Sequence, residues 1–368
     1  MRMKSLVCKE DWKIISSFLP KHWQWQARAC GAVKRMRGAR DFASLFKLLM
    51  LHISGSLSIE QTCVRASELG IARVSAMAFY KRLRKAGSWF AWMCEAMIKQ
   101  HQGGAFLQGA LKGRRVLALD GSDITEPGAK GSGYRLHYAV QLPQLRCVHA
   151  QFTTQEVAES VEVFPVKAGD VVMADRAYAK RRQLAWLIER GADAIMRMSP
   201  TLLPVEGESD PEGIAFEWLE HLGKLKGYKA REWKVRFSHE GRNYALRVCA
   251  VRKSVAAYEK CVKAIEAEAR KKKRKVRPET LEYAKYVIVL TTLKAGELGT
   301  TQVLEVYRSR WQVELAFKRL KSLLEAGSVP KSDEASALAW MQGKMLEALL
   351  VEKLLGEAGV FSPWGHRM

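Results

Sequence analysis

Two aspartates close two apolar runs of the same form. Asp120 ends Val-Leu-Ala-Leu-Asp (116–120) and Asp175 ends Val-Val-Met-Ala-Asp (171–175), and each run reads as a short buried strand. In a sheet enzyme the strand ends are where functional side chains converge. Taken singly, either residue is equally a turn former or a helix cap. A third acid, Glu314, lies in VLEVYRSRWQVELAFKRLKSLLEAG (303–327), within a segment that reads as one helix from about 300 to 326. At ~100° per residue Tyr307, Arg310, Glu314, Lys318 and Lys321 share a stripe roughly 80° wide. Val303, Val306, Trp311, Val313, Leu315, Phe317 and Leu320 cover most other directions, so the helix reads as mostly buried with one polar line. A buried carboxylate among cations must be paired or bind metal. The plainer alternative is an amphipathic helix with a Glu314–Lys318 pair at i,i+4.

Three carboxylates from two strands and a helix supply the oxygen donors that Mg²⁺ and Mn²⁺ prefer. Two such ions about 3.5 to 4 Å apart can activate an attacking hydroxyl and stabilise a leaving oxygen at phosphorus. Neighbouring Arg and Lys would hold phosphates. The composition points the same way: 61 Lys plus Arg against 38 Asp plus Glu give a net charge of +23, a field that attracts polyanions, nucleic acid foremost. A basic solvated surface is the bland reading of that surplus. Hydrophobic residues at 48% exclude wholesale disorder, and 368 residues suffice for two or three domains. Even LFKLLMLHI (45–53) is too short for a membrane span and is broken by Lys47 and His52. The N-terminus turns acidic at Glu10 and Asp11 before any apolar core, so the expectation is a cytoplasmic protein. Seven scattered cysteines without a C-x-x-C pair read as reduced core thiols.

Residues 1–110 read as helical, with apolar spacings such as Phe42, Leu45, Phe46 and Leu49, and 18 Lys/Arg against 6 Asp/Glu. Ser58 with Glu60 and Gln61 opens a helix that Gly70 closes, and Ser75 starts a second leading into AMAFYKRLRKAG. This helix, turn, helix pattern would gather Lys81, Arg82, Arg84 and Lys85 at the end of its second helix, where cations suit the dipole and can grip phosphates. A plain helical hairpin with a wet basic face fits as well. Residues 111–199 read as strands at 114–120, 136–142, 147–154, 171–175 and 192–199, with a helix at about 180–190 stopped by Gly191. That order makes a mixed α/β sheet. From 200 to 285 the pattern loosens into an insertion with strand-like pieces at 234–237 and 244–251 and a charged helix from Val255. It includes RKKKRKVR (270–277), with seven of eight residues basic, readable as a nuclear-import signal, a phosphate-contacting arm or a solvated helix end. A strand at 286–292 precedes the long helix, and 335–357 reads as one apolar helix that packs on the core or on a second protomer.

Tyr307, Arg310, Glu314 and Lys321 reproduce Y-x2-R-x3-E-x6-K, after Asp-Gly-Ser (120–122) and Ala-Asp-Arg-Ala-Tyr (174–178) in that order. The pattern resembles the YREK signature of DDE transposases from bacterial insertion sequences, the group called insertion sequence family 4, over about residues 30 to 330. The resemblance implies a ribonuclease H-like mixed sheet with helices (111–199 and 286–330), preceded by a helical DNA-end-binding domain (1–110). A β-rich insertion (200–285) interrupts it, and a C-terminal helix (331–368) is a candidate for dimerisation. It further implies Asp120, Asp175 and Glu314 as catalytic triad and ligands of two Mg²⁺ ions, replaceable by Mn²⁺, with Asp120 shared between them. Tyr307, Arg310 and Lys321 would contact phosphates at the element's end. The implied partners are terminal inverted repeats, target DNA and a second copy in a synaptic homodimer, at the bacterial nucleoid. Asp123 has no place in the triad and reads as a loop residue or helix cap. Tyr286 lies near the place of an aromatic that stacks on a flipped base in some relatives, without clear register. Only 47 residues follow Lys321, fewer than in the best-known relatives, which use a longer C-terminal region for pairing. Two other functions suit the same residues: a DNA-binding inhibitor derived from a transposase, and a ribonuclease H-like nuclease of recombination.

Overall fold

The structure is a computed structural model that describes residues 9–36, 38–100, 109–126, 132–208, 215–318, 327–330 and 333–357. Five helices come first: α1 (Lys9–Phe18), α2 (Trp23–Ala29), α3 (Phe42–Ser54), α4 (Ile59–Glu68) and α5 (Ala76–Gln100). Ser58 caps α4 through a reciprocal pair of bonds, its Oγ accepting from Gln61 N–H and the Gln61 side chain accepting from Ser58 N–H. Gly70, at φ 67°, then turns the chain.

The helix α5 does not stop at Gly87, and this corrects the position of the basic quartet. Its buried face (Phe79, Leu83, Ala86, Trp89, Phe90, Met93, Met97) repeats at three and four residues through to the end. Gly87 serves a close approach instead: a Cβ there would lie 3.4 Å from the backbone nitrogen of Ala339, on the C-terminal helix α12 (Glu334–Glu357). Lys81, Arg82, Arg84 and Lys85 therefore occupy the first half of a 25-residue helix, away from its C-terminal dipole.

Nine strands form one sheet: β1 (Val116–Thr125), β2 (Ser132–Leu142), β3 (Arg146–Thr154), β4 (Val171–Ala174), β5 (Asp193–Arg197), β6 (Glu206–Gly207), β7 (Arg231–His239), β8 (Arg242–Arg252) and β9 (Tyr286–Thr291). Their order is β3-β2-β1-β4-β5-β9-β8-β7-β6. The β1/β4 and β4/β5 pairs are parallel and the others antiparallel. The strands from 200–285 thus continue the central sheet through β8 and β9. Burial on both faces requires it, since Cys249 of β8 enters one core while Val248 and Ala250 enter the other.

Strand alternation divides the core into two. Val116, Ala118, Val171, Met173, Ile195 and Val289 face a layer holding α3, α5 and α12. Leu117, Leu119, Val172, Ala194 and Met196 face α6 (Arg181–Glu189) and α7 (Trp218–Gly223). Packed against α5, α12 also reaches the sheet, where the Glu352 carboxylate accepts from the Cys147 N–H of β3 at 3.1 Å. Of the two packings open to it, α12 takes at least that on the chain's own core, while Val351, Leu354 and Leu355 remain exposed.

The remaining helices are α8 (Val255–Lys271), α9 (Pro278–Ala284), α10 (Thr300–Arg308) and α11 (Trp311–Lys318). The single helix expected from 300 to 326 is thus broken at Ser309 and Arg310, and 319–326 lies outside the described residues. Among the described residues no helix is long and apolar enough to cross a membrane, and the six cysteines there are free thiols.

Candidate active site

The register of the parallel strands assembles the site. β1 and β4 pair Val116 with Val171 and Ala118 with Met173, so two residues further on Asp120 stands beside Asp175, both on the Ala118 and Met173 face. β4 and β5 pair Ala174 with Met196, which sets Arg197 next to Asp175. Three adjacent strands therefore present Asp, Asp, Arg in a row, at the ends of β4 and β5 but midway along β1, which runs on past Asp120 to Thr125 instead of closing there.

Backbone donors fix the two acids. Asp120 Oδ1 accepts from Gly121 N–H at 2.9 Å, and Asp175 Oδ1 accepts from Ala177 N–H at 2.7 Å, leaving each carboxylate one further oxygen. Burial pushes the Asp120 carboxyl up to about 6, against the opposing pull of Arg310 and the Gly121 N–H, with Asp175 and Glu159 adding to the rise.

Over this face sits the break between α10 and α11. Ser309 Oγ donates to the Val306 carbonyl at 2.6 Å. The backbone bonds Ser309 to Val306, Arg310 to Tyr307, Gln312 to Ser309 and Val313 to Arg310 all span three residues, a tightened turn. Arg310, only 15% exposed, places its guanidinium 3.9 Å from Asp120 Oδ2 and donates to Glu314 Oε1 at 2.5 Å. Burial works against its charge, but Tyr307, Glu314 and Asp120 outweigh that. Tyr307 is buried, with the Arg310 cation 5.8 Å from its ring centroid. Burial raises its phenol, against Arg310 and Arg197. Phe317 anchors α11 on Tyr138 of β2, ring centroids 5.5 Å apart.

The structure therefore brings together Asp120, Asp175, Arg310 and Tyr307. Glu314 is near, but its 58% exposed side chain is engaged by Arg310 and not by the aspartates. The tightened turn also disperses the expected polar stripe, and Trp311 is 44% exposed. Lys321 lies outside the described residues. On α5, Arg84 pairs with Asp333 at 3.1 Å and burial lowers the Arg82 guanidinium, while Lys81 and Lys85 are exposed. Tyr286 packs into the core on the opposite face from Asp120.

Asp123 is neither loop nor cap: it belongs to β1, opposite Arg135 of β2, whose guanidinium it accepts at 3.0 Å. Two site residues are not apparent from the sequence. Arg197 is hidden at the end of an apolar run, and only the pairing of β4 with β5 reveals it. Glu159 is half-buried and approaches β1 from the face opposite Asp120, its carboxyl so close that a Cβ on Gly121 would fall 2.6 Å from Oε1. Burial raises its pKa, with Asp175 and Asp123 adding to the rise. Gly121, a glycine inside a strand, is the one local signal of that approach.

The donor set suits a hard divalent cation. Asp175 and Glu159 repel Asp120, which Arg310 offsets only in part, while Asp175 and Asp123 repel Glu159 against Arg135 and Lys180. No group of three His, Cys, Asp or Glu converges as a metal cluster among the described residues. Mg²⁺, however, is commonly held by one or two carboxylates with water and phosphate oxygens completing the shell, so Asp120 and Asp175 are the residues that could hold it.

Comparison with known proteins gives a consistent picture. The family model described as a transposase DDE domain matches residues 226–349, the part that holds α10, α11 and Glu314. The putative transposase InsL for insertion sequence element IS186A of Escherichia coli (strain K12) is 30% identical over 366 residues, 96% of each chain. The transposase for insertion sequence element IS421 of Escherichia coli is 30% identical over 367 residues, again 96% of each.

Proposed function

Because the chain belongs to the DDE transposases of insertion sequences, we propose that it binds the terminal inverted repeats of its own element, cuts there, and joins the freed 3′ hydroxyls to target DNA. The observation that carries this reading is the juxtaposition of Asp120 and Asp175 on adjacent parallel strands beneath Arg310. Glu314 is the third acid of the triad, and Tyr307, Arg310, Glu314 and Lys321 make the chain a member of the YREK group. Three antiparallel strands (β3-β2-β1) continued by parallel β4 and β5 support a ribonuclease H-like core.

Two Mg²⁺ ions, or Mn²⁺ in their place, would activate the attacking oxygen and stabilise the leaving one, with Asp120 and Asp175 as ligands. Arg310 and Arg197 hold phosphate oxygens beside the acids. A phosphate that takes Arg310 releases Glu314 from its 2.5 Å bond, freeing the carboxylate for the site. The buried Tyr307 packs on that guanidinium and limits where it can swing. On α5, Lys81, Arg82, Arg84 and Lys85 form the surface that meets the element's end, and two copies act in a synaptic homodimer.

The test is cleavage of labelled duplex carrying the DNA that flanks the gene, with Mg²⁺ or Mn²⁺, by wild type beside Asp120→Ala. Metal-dependent cuts confined to the ends and absent in the variant are expected. End binding in a paired complex with no cut would instead identify a non-catalytic DNA-binding derivative, and cuts indifferent to the ends would identify a nuclease.

A further inference from the structure

The direction of the strands fixes where the basic run of the chain stands. β1, β4 and β5 run the same way, with Asp120 midway along β1 and Asp175 and Arg197 at the ends of β4 and β5. β9 is antiparallel to β5 and so begins at that end of the sheet, and β8, antiparallel to β9, finishes there. Everything between Arg252 and Tyr286, which is α8, a turn and α9, therefore hangs from the catalytic end.

The first helix of this hairpin, α8, contributes little to the fold. None of the residues of α8 is buried, and it packs on α9, so its retention as a 17-residue helix calls for some other use. Its charge is lopsided: residues 255–277 carry nine Lys/Arg against three Glu. Within Arg270–Arg277 every residue but Val276 is exposed, and among the described residues only Lys272 pairs with a carboxylate, that of Glu268 at 2.6 Å. Lys273, at φ 50°, turns the chain between the helices and fans the cations outward. Glu268 is held below the ordinary carboxylate range chiefly by the Lys272 hydrogen bond, with Arg176, the residue after Asp175, contributing through space. The charged end of the arm thus stands beside the strand that carries a catalytic acid.

We propose that the α8–α9 hairpin is an arm that grips the phosphate backbone of duplex DNA where it enters the catalytic end of the sheet, without reading its sequence. The proposal rests on DNA being the substrate, as argued above. Closely spaced cations repel one another, and a polyphosphate relieves that repulsion while releasing its own counterions. The run has no aromatic to stack on a base, so its contribution is the same for any sequence. That makes the arm suited to DNA of arbitrary sequence, in contrast to the recognition of the element's own ends.

The experiment is binding of a 30-base-pair duplex of unrelated sequence by the full chain across a salt series. Wild type is compared with the combined variant Lys271→Gln, Arg274→Gln, Lys275→Gln and Arg277→Gln, and with its charge-keeping counterpart Lys271→Arg, Arg274→Lys, Lys275→Arg and Arg277→Lys. Each phosphate interaction removed should lower the slope of log affinity against log salt by ~0.9, up to about 3.6 for four, and the charge-keeping form should retain the wild-type slope. An unchanged slope in the glutamine variant, with its melting temperature intact, would overturn the arm while leaving the transposase reading in place. A wild type with no duplex affinity at low salt would overturn both.

Discussion

Asp120 is buried more deeply than a free carboxylate tolerates, and this sets a pH dependence whose sign can be worked out. Its folded pKa, about 6, lies above the ordinary 3.8, so below about pH 4 both folded and unfolded chains carry the proton and no penalty exists. As pH rises through 6 the folded chain must ionise a buried group, and the full penalty, on the order of 3 kcal/mol, is present above that. Asp120→Asn should therefore raise the melting temperature of the metal-free protein at pH 8 and leave it unchanged near pH 4. Equal effects at both pH values in thermal melts would remove the burial argument. Added Mg²⁺ should stabilise wild type at pH 8 and the variant much less. Glu314 differs: its side chain is 58% exposed, and an exposed pair contributes at most about 1 kcal/mol. Glu314→Ala should abolish cleavage and leave both the fold and end binding nearly intact; normal cleavage by that variant would discard the triad assignment.

At the scale of elements, two helices differ from their sequence patterns for identifiable reasons. The break at Ser309 arises because a serine hydroxyl satisfies the Val306 carbonyl locally, and the tightened turn carries Arg310 toward Asp120. In α5, Gly87 is retained inside the helix because α12 approaches there. The quartet on α5 is consequently unequal. Arg84 is tied to Asp333 and Arg82 is partly buried, whereas Lys81 and Lys85 lie one turn apart and exposed. Replacing Lys81 and Lys85 with Ala should lower the salt slope of end binding by about 1.8, at ~0.9 for each phosphate interaction. An unaltered slope in a salt titration would exclude this face of α5 as the DNA-binding surface.

The molecule as a whole is more continuous than a chain of separate domains. One apolar cluster runs from Leu19 through α5 and the sheet to Leu349, and α12 returns from the C-terminus to complete the helical layer. Helix content and tryptophan environment should therefore disappear in a single transition on heating, since Trp23, Trp89 and Trp340 belong to that same cluster. Two resolved transitions, by circular dichroism and fluorescence recorded together, would show that the helical layer is independent. Asp120 and Asp175 lie midway along the nine-stranded order, with the basic helical layer toward β3 and the basic hairpin rising from β8 and β9. DNA crossing the site would meet cations on both sides.

The amino-acid sequence by itself determined the parts that depend on local pattern. The β1 and β4 runs, the strands at 136–142 and 147–154, the capping of α4 by Ser58 and the spacing of Tyr307, Arg310 and Glu314 all follow from periodicity, capping chemistry and fixed offsets along one chain. The pairing of strands distant in sequence was not legible, because β-register is set by contacts between segments and not within them. Tertiary structure alone decided that Asp120 lies beside Asp175, that Arg197 completes their row, and that Glu159 closes on Gly121. It also decided that Asp123 pairs with Arg135, and that β7 and β8 extend the central sheet. Helix continuity was likewise a tertiary matter: Gly87 and Ser309 have modest local preferences, and the packing of α12 on one and the seat of Arg310 beside the other settled which helix runs on and which one turns.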